Sequence, residues 1–486
     1  MKKIIVLILA LLALSLCACG GNTEATETTE NIETTLPETE APVCEHVEKG
    51  EFTVKKAGIF TEGQKKLVCL SCGEVFKEVT LPATKSVKIL AIGNSFSIDA
   101  TTFMYDLFKA AGVEDVIVGN AHISGCSIEK HYQMAQSGEQ AYSYTKYTAN
   151  GKENKDSSLF ELITDEEWDI ITLQQASQYS GIPETYADLS SLISYVLDNC
   201  TNLFVDLKFH MTWAYEQSTN HGGFKNYDRD QMTMYKAIAN TVQEVVLKHS
   251  EITGIIPSGT AIQNLRTSYL GDTLTRDGYH LSNDIGRYTA GLTWVSYITG
   301  VSPDEISWVP PSHGNINEDL PPIREAVKNA ISTPFDVTES QIKEKKTLTL
   351  EDYFAAAGLD IDDFELLDWE PRQFYFWNST SSTKMSKASS MPQYTGSSKR
   401  FTKEEIPVGS VIVVDKGYQY RPEGWQTADE KNANKRPSNC STYFTIVDEA
   451  WWDNYTLRAF NLSKLTGNDP ATEEDATHFN IYIPKK

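Results

Sequence analysis

A short apolar run that stops at a glycine and hands over to a helical pattern constrains this chain more than any other stretch. Lys88-Ile89-Leu90-Ala91-Ile92 leads into Gly93-Asn94-Ser95-Phe96-Ser97, after which Phe103, Leu107 and Ala111 recur at helical spacing with Met104 and Phe108 beside them. The pattern predicts a buried strand, a tight turn and a helix, with Ser95 where the strand ends. The alternation repeats to about residue 302, with strands expected at 115–119, 168–174, 203–209 and 253–257 and helices at 187–197, 232–248 and 286–298. Apolar runs separated by helices predict an α/β fold, a parallel sheet with both faces covered. In open sheets of that kind ligands gather outside the carboxyl ends of the strands. A serine at that place either caps the helix or, beside backbone N–H groups, faces a ligand.

What precedes and follows this region has a different composition. Met1-Lys2-Lys3 and the apolar run 4–16 read as a targeting segment, too short to span a bilayer with ease. Its end, Leu16-Cys17-Ala18-Cys19-Gly20, resembles a bacterial lipoprotein cleavage box, which implies residues 1–19 as signal peptide and lipid on Cys19. Plain secretion or an uncleaved anchor are the alternatives. The lipid reading places the protein on the extracellular face of a bacterial membrane. Residues 20–43 are rich in Thr and Glu and carry almost no large apolar side chain, as expected of a disordered tether. The formal net charge of -23 argues against binding nucleic acid or an anionic membrane surface.

Residues 44–84 hold Cys44-Glu45-His46 and Cys69-Leu70-Ser71-Cys72-Gly73, with short β-prone runs between them. Three thiols and an imidazole suit a closed tetrahedral zinc site with ligands Cys44, His46, Cys69 and Cys72. A disulfide, favoured by an oxidising compartment, is the rival. The segment resembles small zinc-ribbon-like modules of exported bacterial proteins. Residues 303–346 read as a connection with one helical stretch near Ile323. Residues 347–486 are crowded with aromatics, from Trp369 to Tyr455, among β-type runs such as 410–414. They predict a β-sandwich-like domain whose aromatics either fill the core or stack on sugar rings.

A serine needs a base within reach, and the base needs an orienting group. Late in the α/β region stands Arg276-Asp277-Gly278-Tyr279-His280-Leu281-Ser282, where three-residue spacing across a glycine turn lets the carboxylate return onto the imidazole. Gly93-Asn94-Ser95-Phe96-Ser97 followed by Asp277-Gly278-Tyr279-His280 resembles the SGNH (GDSL-like) hydrolase superfamily. With Gly125-Cys126-Ser127 and Leu173-Gln174-Gln175, the chain is similar to a branch of uncharacterised bacterial SGNH-like lipoproteins of the DUF4886 type. The resemblance covers about residues 88–298 and implies a flavodoxin-like three-layer sandwich for residues 85–302.

It also implies a serine esterase that needs no cofactor for its chemistry: Ser95 the nucleophile, His280 the base, Asp277 its orienter. The oxyanion is expected on the N–H groups of Ser95 and Gly125. The family's third donor, an asparagine in a Gly-x-Asn-Asp block, has Gln175 as its positional match, and Asn94 stands where the family has aspartate. The expected substrate is an acylated carbohydrate or another small ester. The rival is a weak or inactive relative that holds a glycan or solute. His122 and His131 either line the pocket or pack, Trp213 is either a wall of the pocket or core, and Cys126 has no paired base.

Overall fold

Ile89, Leu90, Ala91 and Ile92 are all buried, on both faces of their strand, because that strand lies in the middle of a seven-stranded sheet. The computed structural model describes residues 44, 46, 49–310, 316–369, 374–376, 395–397, 400–415, 417–425, 443–452, 455–464 and 477–485. Residues 1–43, and with them the expected signal peptide, Cys19 and tether, lie outside the described residues, as does Trp377. Among the described residues no helix is long and apolar enough to cross a membrane.

Among the described residues, those from Cys44 to Thr53 together with Lys65–Val79 form one compact unit, and Val54–Gln64 with those from Thr80 onward form the other. The first unit is built on a sheet of β1 (Lys49–Lys55), β2 (Gly63–Cys69) and β3 (Val75–Leu81), in that order.

The second unit begins β4 (Ser86–Gly93), α1 (Ser95–Thr101), α2 (Met104–Ala110), β5 (Asp115–His122), α3 (Ile128–Ser137), β6 (Tyr142–Thr148), β7 (Gly151–Ser157), α4 (Leu159–Thr164) and β8 (Ile170–Leu173). It continues with α5 (Leu189–Asn199), β9 (Asp206–His210), α6 (Gln231–Glu244), β10 (Ile252–Ile256), α7 (Ser258–Arg266), α8 (Ile285–Thr299) and α9 (Leu320–Ser332). The sheet order is β10-β9-β8-β4-β5-β6-β7, and β10, β9, β8, β4 and β5 are mutually parallel. That parallel part has the flavodoxin-like strand order. Helices α1, α2, α7, α8 and α9 pack with one another, as do α3, α4 and α5.

Two features depart from the sequence expectation. An antiparallel hairpin, β6–β7, extends the sheet beyond β5. Its outer strand is Gly-Lys-Glu-Asn-Lys-Asp-Ser, with six of seven residues exposed, so no hydrophobic alternation marks it. Charge on an edge strand also blocks pairing with another chain. Secondly, residues 303–346 are more than a connection. Helix α9 buries Leu320, Ile323, Ala326, Val327 and Ala330 in the same core as the sheet, and Thr338 N donates to Asn264 Oδ1 at 2.8 Å.

In the C-terminal part, α10 (Leu350–Ala356) precedes β11 (Phe364–Leu366) to β19 (Phe479–Pro484). One sheet has the order β11-β19-β15-β17, with β15 at Val411–Val414 and β17 at Phe444–Ile446. The other centres on β18 (Leu457–Lys464), paired with β13 (Thr395–Ser397), β14 (Phe401–Thr402) and β16 (Tyr418–Trp425), with β12 (Phe374–Phe376) on the far side of β13. Ile412, Val414 and Ile481 from the first sheet share a core with Phe401, Tyr420, Phe460 and Leu462 from the second, which makes a sandwich. Trp369, Tyr420 and Trp452 are at most 1% exposed, so these three of the expected aromatics are core.

Among the described residues two histidines are buried in the α/β core: His131 meets the Tyr142 hydroxyl at 2.8 Å and His210 meets Gln174 Oε1 at 2.8 Å. Burial pushes both down to about 3, from an ordinary value of 6.5. Between those limits the unfolded chain binds protons that the folded chain does not, so stability is present above 6.5 and lost as pH falls through the window. Each histidine makes the slope at most about 1.4 kcal/mol per pH unit. Urea unfolding at pH 7, 6, 5 and 4 should therefore give a falling midpoint. A midpoint that holds constant down to pH 4 would show the two imidazoles taking up protons in the folded state.

Candidate active site

Gly93 is where the site starts. A Cβ there would stand 2.7 Å from Gln174 Cδ and 2.9 Å from Ser97 Cβ, so only glycine lets the end of β8 close on the turn after β4. Asn94 then caps α1. Its Oδ1 accepts from Phe96 N at 3.0 Å and from Gln174 Nε2 at 2.8 Å, and its Nδ2 donates to Cys126 O at 3.1 Å. The His210–Gln174–Asn94 chain thus runs across the carboxyl ends of β9, β8 and β4. It holds the backbone that leaves Ser95, half-buried, at the first position of α1.

The second half of the site comes from the loop before α8. Ser95 Oγ donates to His280 Nε2 at 2.8 Å, and His280 Nδ1 donates to Asp277 Oδ2 at 2.7 Å. Asp277 Oδ1 accepts from His280 N at 2.8 Å and Tyr279 N at 3.3 Å. Burial alone would raise the Asp277 carboxyl, but hydrogen bonds from the side chain and backbone of His280 outweigh it and hold the group below the usual carboxylate range. Gly278, at φ +90, makes the tight return between carboxylate and imidazole; a Cβ there would also meet Thr219 Oγ1 at 2.5 Å. Trp213 is fully buried, stacks on Phe96 with centroids 4.3 Å apart, and donates from Nε1 to Tyr279 O at 2.8 Å. It is therefore core that braces the loop rather than a wall of a pocket.

Asp99 is a site residue that the sequence reading did not find. It is fully buried on α1, four residues after Ser95. Its Oδ1 accepts from Arg276 Nη1 at 2.9 Å and Arg287 Nε at 2.8 Å, and its Oδ2 from Leu281 N at 2.9 Å. One carboxylate therefore ties the serine's helix to both ends of the histidine's loop and to α8. A buried acid one helical turn after the serine was a visible signal, but nothing in the spacing names its partners.

Two of the residues expected at the oxyanion or substrate-binding site, Gln175 and Asn94, are otherwise engaged. Gln175 is 1% exposed; its Nε2 donates to Thr185 O at 2.9 Å and Thr185 Oγ1 at 3.1 Å, while its Oε1 accepts from Ile128 N at 3.0 Å and Ala176 N at 2.8 Å. It is a strut between loops, because its longer arm reaches past the turn to Thr185. Asn94 likewise spends its amide on Cys126 O and faces inward. Gly125 is exposed at φ +61 in the loop after β5, next to Cys126, and Ile123 N donates to Gly93 O at 3.2 Å, which brings that loop to the serine turn. Among the described residues the N–H groups of Ser95 and Gly125 have no hydrogen-bond partner.

Two of the remaining candidates, His131 and Cys126, are buried and are not site groups. His131 is buried against Tyr142 and packs there. His122 is half-buried, and burial lowers it. Burial pushes the Cys126 thiol up to about 12, which leaves it no thiolate to react with at neutral pH. An open groove of about 600 Å³ borders the Asp277 loop, lined by Glu216, Thr219, His221, Arg276, Asp277 and Tyr279. In the first unit Cys44, His46, Cys69 and Cys72 bring their ligand atoms within 4.8 Å of one another, a group that could hold a metal ion.

Residues 88–320 match the model of a family described as a domain of unknown function, DUF4886. No curated protein matches the chain. Among solved structures, a DUF4886 family protein from Bacteroides uniformis ATCC 8492 is 42% identical, with 52% of this chain and 98% of that one covered and a TM-score of 0.50. Another, named a putative acylhydrolase from Bacteroides fragilis NCTC 9343, is 11% identical over 44% of this chain and 86% of that one, with a TM-score of 0.29. With nearly the whole of a relative of that identity covered, this chain belongs to the DUF4886 family.

Proposed function

We propose that this protein is a serine esterase. The observation that carries the reading is the unbroken run from Ser95 Oγ to His280 Nε2 at 2.8 Å and from His280 Nδ1 to Asp277 Oδ2 at 2.7 Å. Ser95 Oγ attacks the ester carbonyl as its proton passes to His280 Nε2. Asp277 holds the Nδ1 tautomer and stabilises the imidazolium. The carbonyl oxygen, now negative, receives the Ser95 and Gly125 N–H groups. When the C–O bond breaks, His280 returns the proton to the leaving alcohol. Water then takes the alcohol's place, His280 accepts its proton as the oxygen adds to the acyl carbonyl, and the acid leaves as the bond to Ser95 Oγ breaks and His280 returns the proton to that oxygen.

The substrate we propose is a short acyl ester, acetyl or similar, on a carbohydrate. Support comes from what the SGNH resemblance implies and from the open polar groove that borders the Asp277 loop. The lipid anchor on Cys19 and the extracellular membrane face rest on the sequence of the first twenty residues alone. A fluorophosphonate probe tests the chemistry: one adduct per chain, on the peptide carrying Ser95 and absent from His280→Ala, is the expected result. An adduct elsewhere, or none, would refute the assignment. For the separate Cys/His cluster we propose zinc, since three thiolates and an imidazole are a donor set that suits Zn2+.

A further inference from the structure

The first unit is a sheet with almost nothing inside it. In β1, six of seven residues are exposed, and in β3 five of seven. Phe52, Leu70, Val75 and Phe76 are exposed by 38% to 53%, and among the described residues of 44–53 and 65–79 Cys69 is the one buried side chain. A segment of this size with no core needs another source of stability. Among the described residues no disulfide supplies it, since Cys44, Cys69 and Cys72 are not bonded to one another.

What the unit does contain, around its one buried side chain, is a cluster of donors. Cys44 Sγ lies 3.5 Å from Cys69 Sγ, and Cys72 Sγ lies 3.4 Å from His46 Nδ1. Ligands at about 2.3 Å (sulfur) and 2.0 Å (nitrogen) from a tetrahedral zinc stand about 3.5–3.8 Å from one another, whereas a disulfide would bring sulfurs to about 2.05 Å. The Cys-x-x-Cys turn is closed by Gly73 N donating to Cys69 O at 2.9 Å and Cys69 N donating to Glu74 O at 2.8 Å, with Gly73 at φ +80. The imidazole is also held from outside. His46 Nε2 stands 3.1 Å from Glu74 Oε2, so with Nε2–H on the carboxylate the ring presents Nδ1 to the thiols. A carboxylate on the far nitrogen fixes the tautomer a metal requires and makes the ring a better donor.

We infer that the metal ion is what folds this unit, with His46 bound through Nδ1 and Glu74 orienting it from the other ring nitrogen. The inference rests on the zinc reading above and goes beyond it, since a zinc ion can also decorate a unit that folds without it. Zinc-bound and chelator-stripped full-length protein should be compared by amide hydrogen exchange. In the zinc form the amides of β1–β3 should be protected. In the stripped form they should exchange as an unfolded chain does, while those of β4 stay protected. Equal protection in both forms, with one zinc per chain in the untreated protein, overturns the folding inference and leaves the zinc reading standing. Absence of zinc, with a Cys–Cys disulfide found by mass, overturns the zinc reading itself. Glu74→Gln should weaken zinc binding, measured by competition with a chromophoric chelator, by about 10- to 100-fold. Unchanged affinity would remove Glu74 from the site.

Discussion

Ser95→Ala should lower the turnover of a short-chain nitrophenyl ester by about six orders of magnitude, down to what binding and the backbone N–H groups supply alone. His280→Ala should cost about as much, and the double variant little more than either, because the hydroxyl without its base and the base without its hydroxyl are equally idle. Asp277→Asn should cost about 10⁴-fold. It keeps the shape of the loop but offers an amide where His280 Nδ1 now donates at 2.7 Å, so the ring is no longer held with its lone pair toward Ser95. Steady-state kinetics on purified variants, with thermal melts to confirm that each is folded, is the measurement. Equal kcat/KM in wild type and Ser95→Ala would leave no serine esterase. The absolute rate should be modest. Gln175 gives its amide to Thr185, which leaves the two backbone donors, and one missing donor costs on the order of 10²–10³ in kcat.

Asp99→Ala should be the second-largest loss, felt in stability as well as rate. The carboxylate is fully buried and accepts from Arg276, Arg287 and the Leu281 backbone. Removing it strands two guanidinium groups that are themselves largely covered, at a cost of about 3–5 kcal/mol. It also frees the loop that carries His280 from the helix that carries Ser95. The rate should therefore fall through kcat more than through KM, since a displacement of about 1 Å in such a pair costs about 10²-fold. Urea unfolding reads the first effect. Phosphonate labelling of Ser95, measured well below the variant's melting temperature, reads the second. A variant that unfolds earlier but labels at the wild-type rate would make Asp99 a purely structural anchor.

How much of this was legible follows from the range of the interactions involved. The central strand, the turn at Gly93, helix α1 and the loop with Asp277 and His280 each show in a few consecutive residues, because side-chain periodicity and turn chemistry are local. The hairpin β6–β7 was not legible, since its outer strand is nearly all polar. Helix α9 was found as a helix but not as core, because an apolar stripe does not say which surface it meets. Gln175 was matched to a donor by position along the chain. Its bond to Thr185 depends on how far a side chain reaches once the loops are packed.

By itself, then, the amino-acid order determined the alternating elements, the α/β class and the residue types capable of acid–base and metal chemistry. Only the tertiary structure decided which of them meet. It laid His280 on Ser95 across 185 residues, gave Asp99 its two arginines, and turned Gln175 away from the site. The physical reason is that a hydrogen bond or ion pair needs partners within about 3 Å and in the right orientation. That condition is met by the packing of distant loops around one sheet edge, and no pattern along the chain contains it.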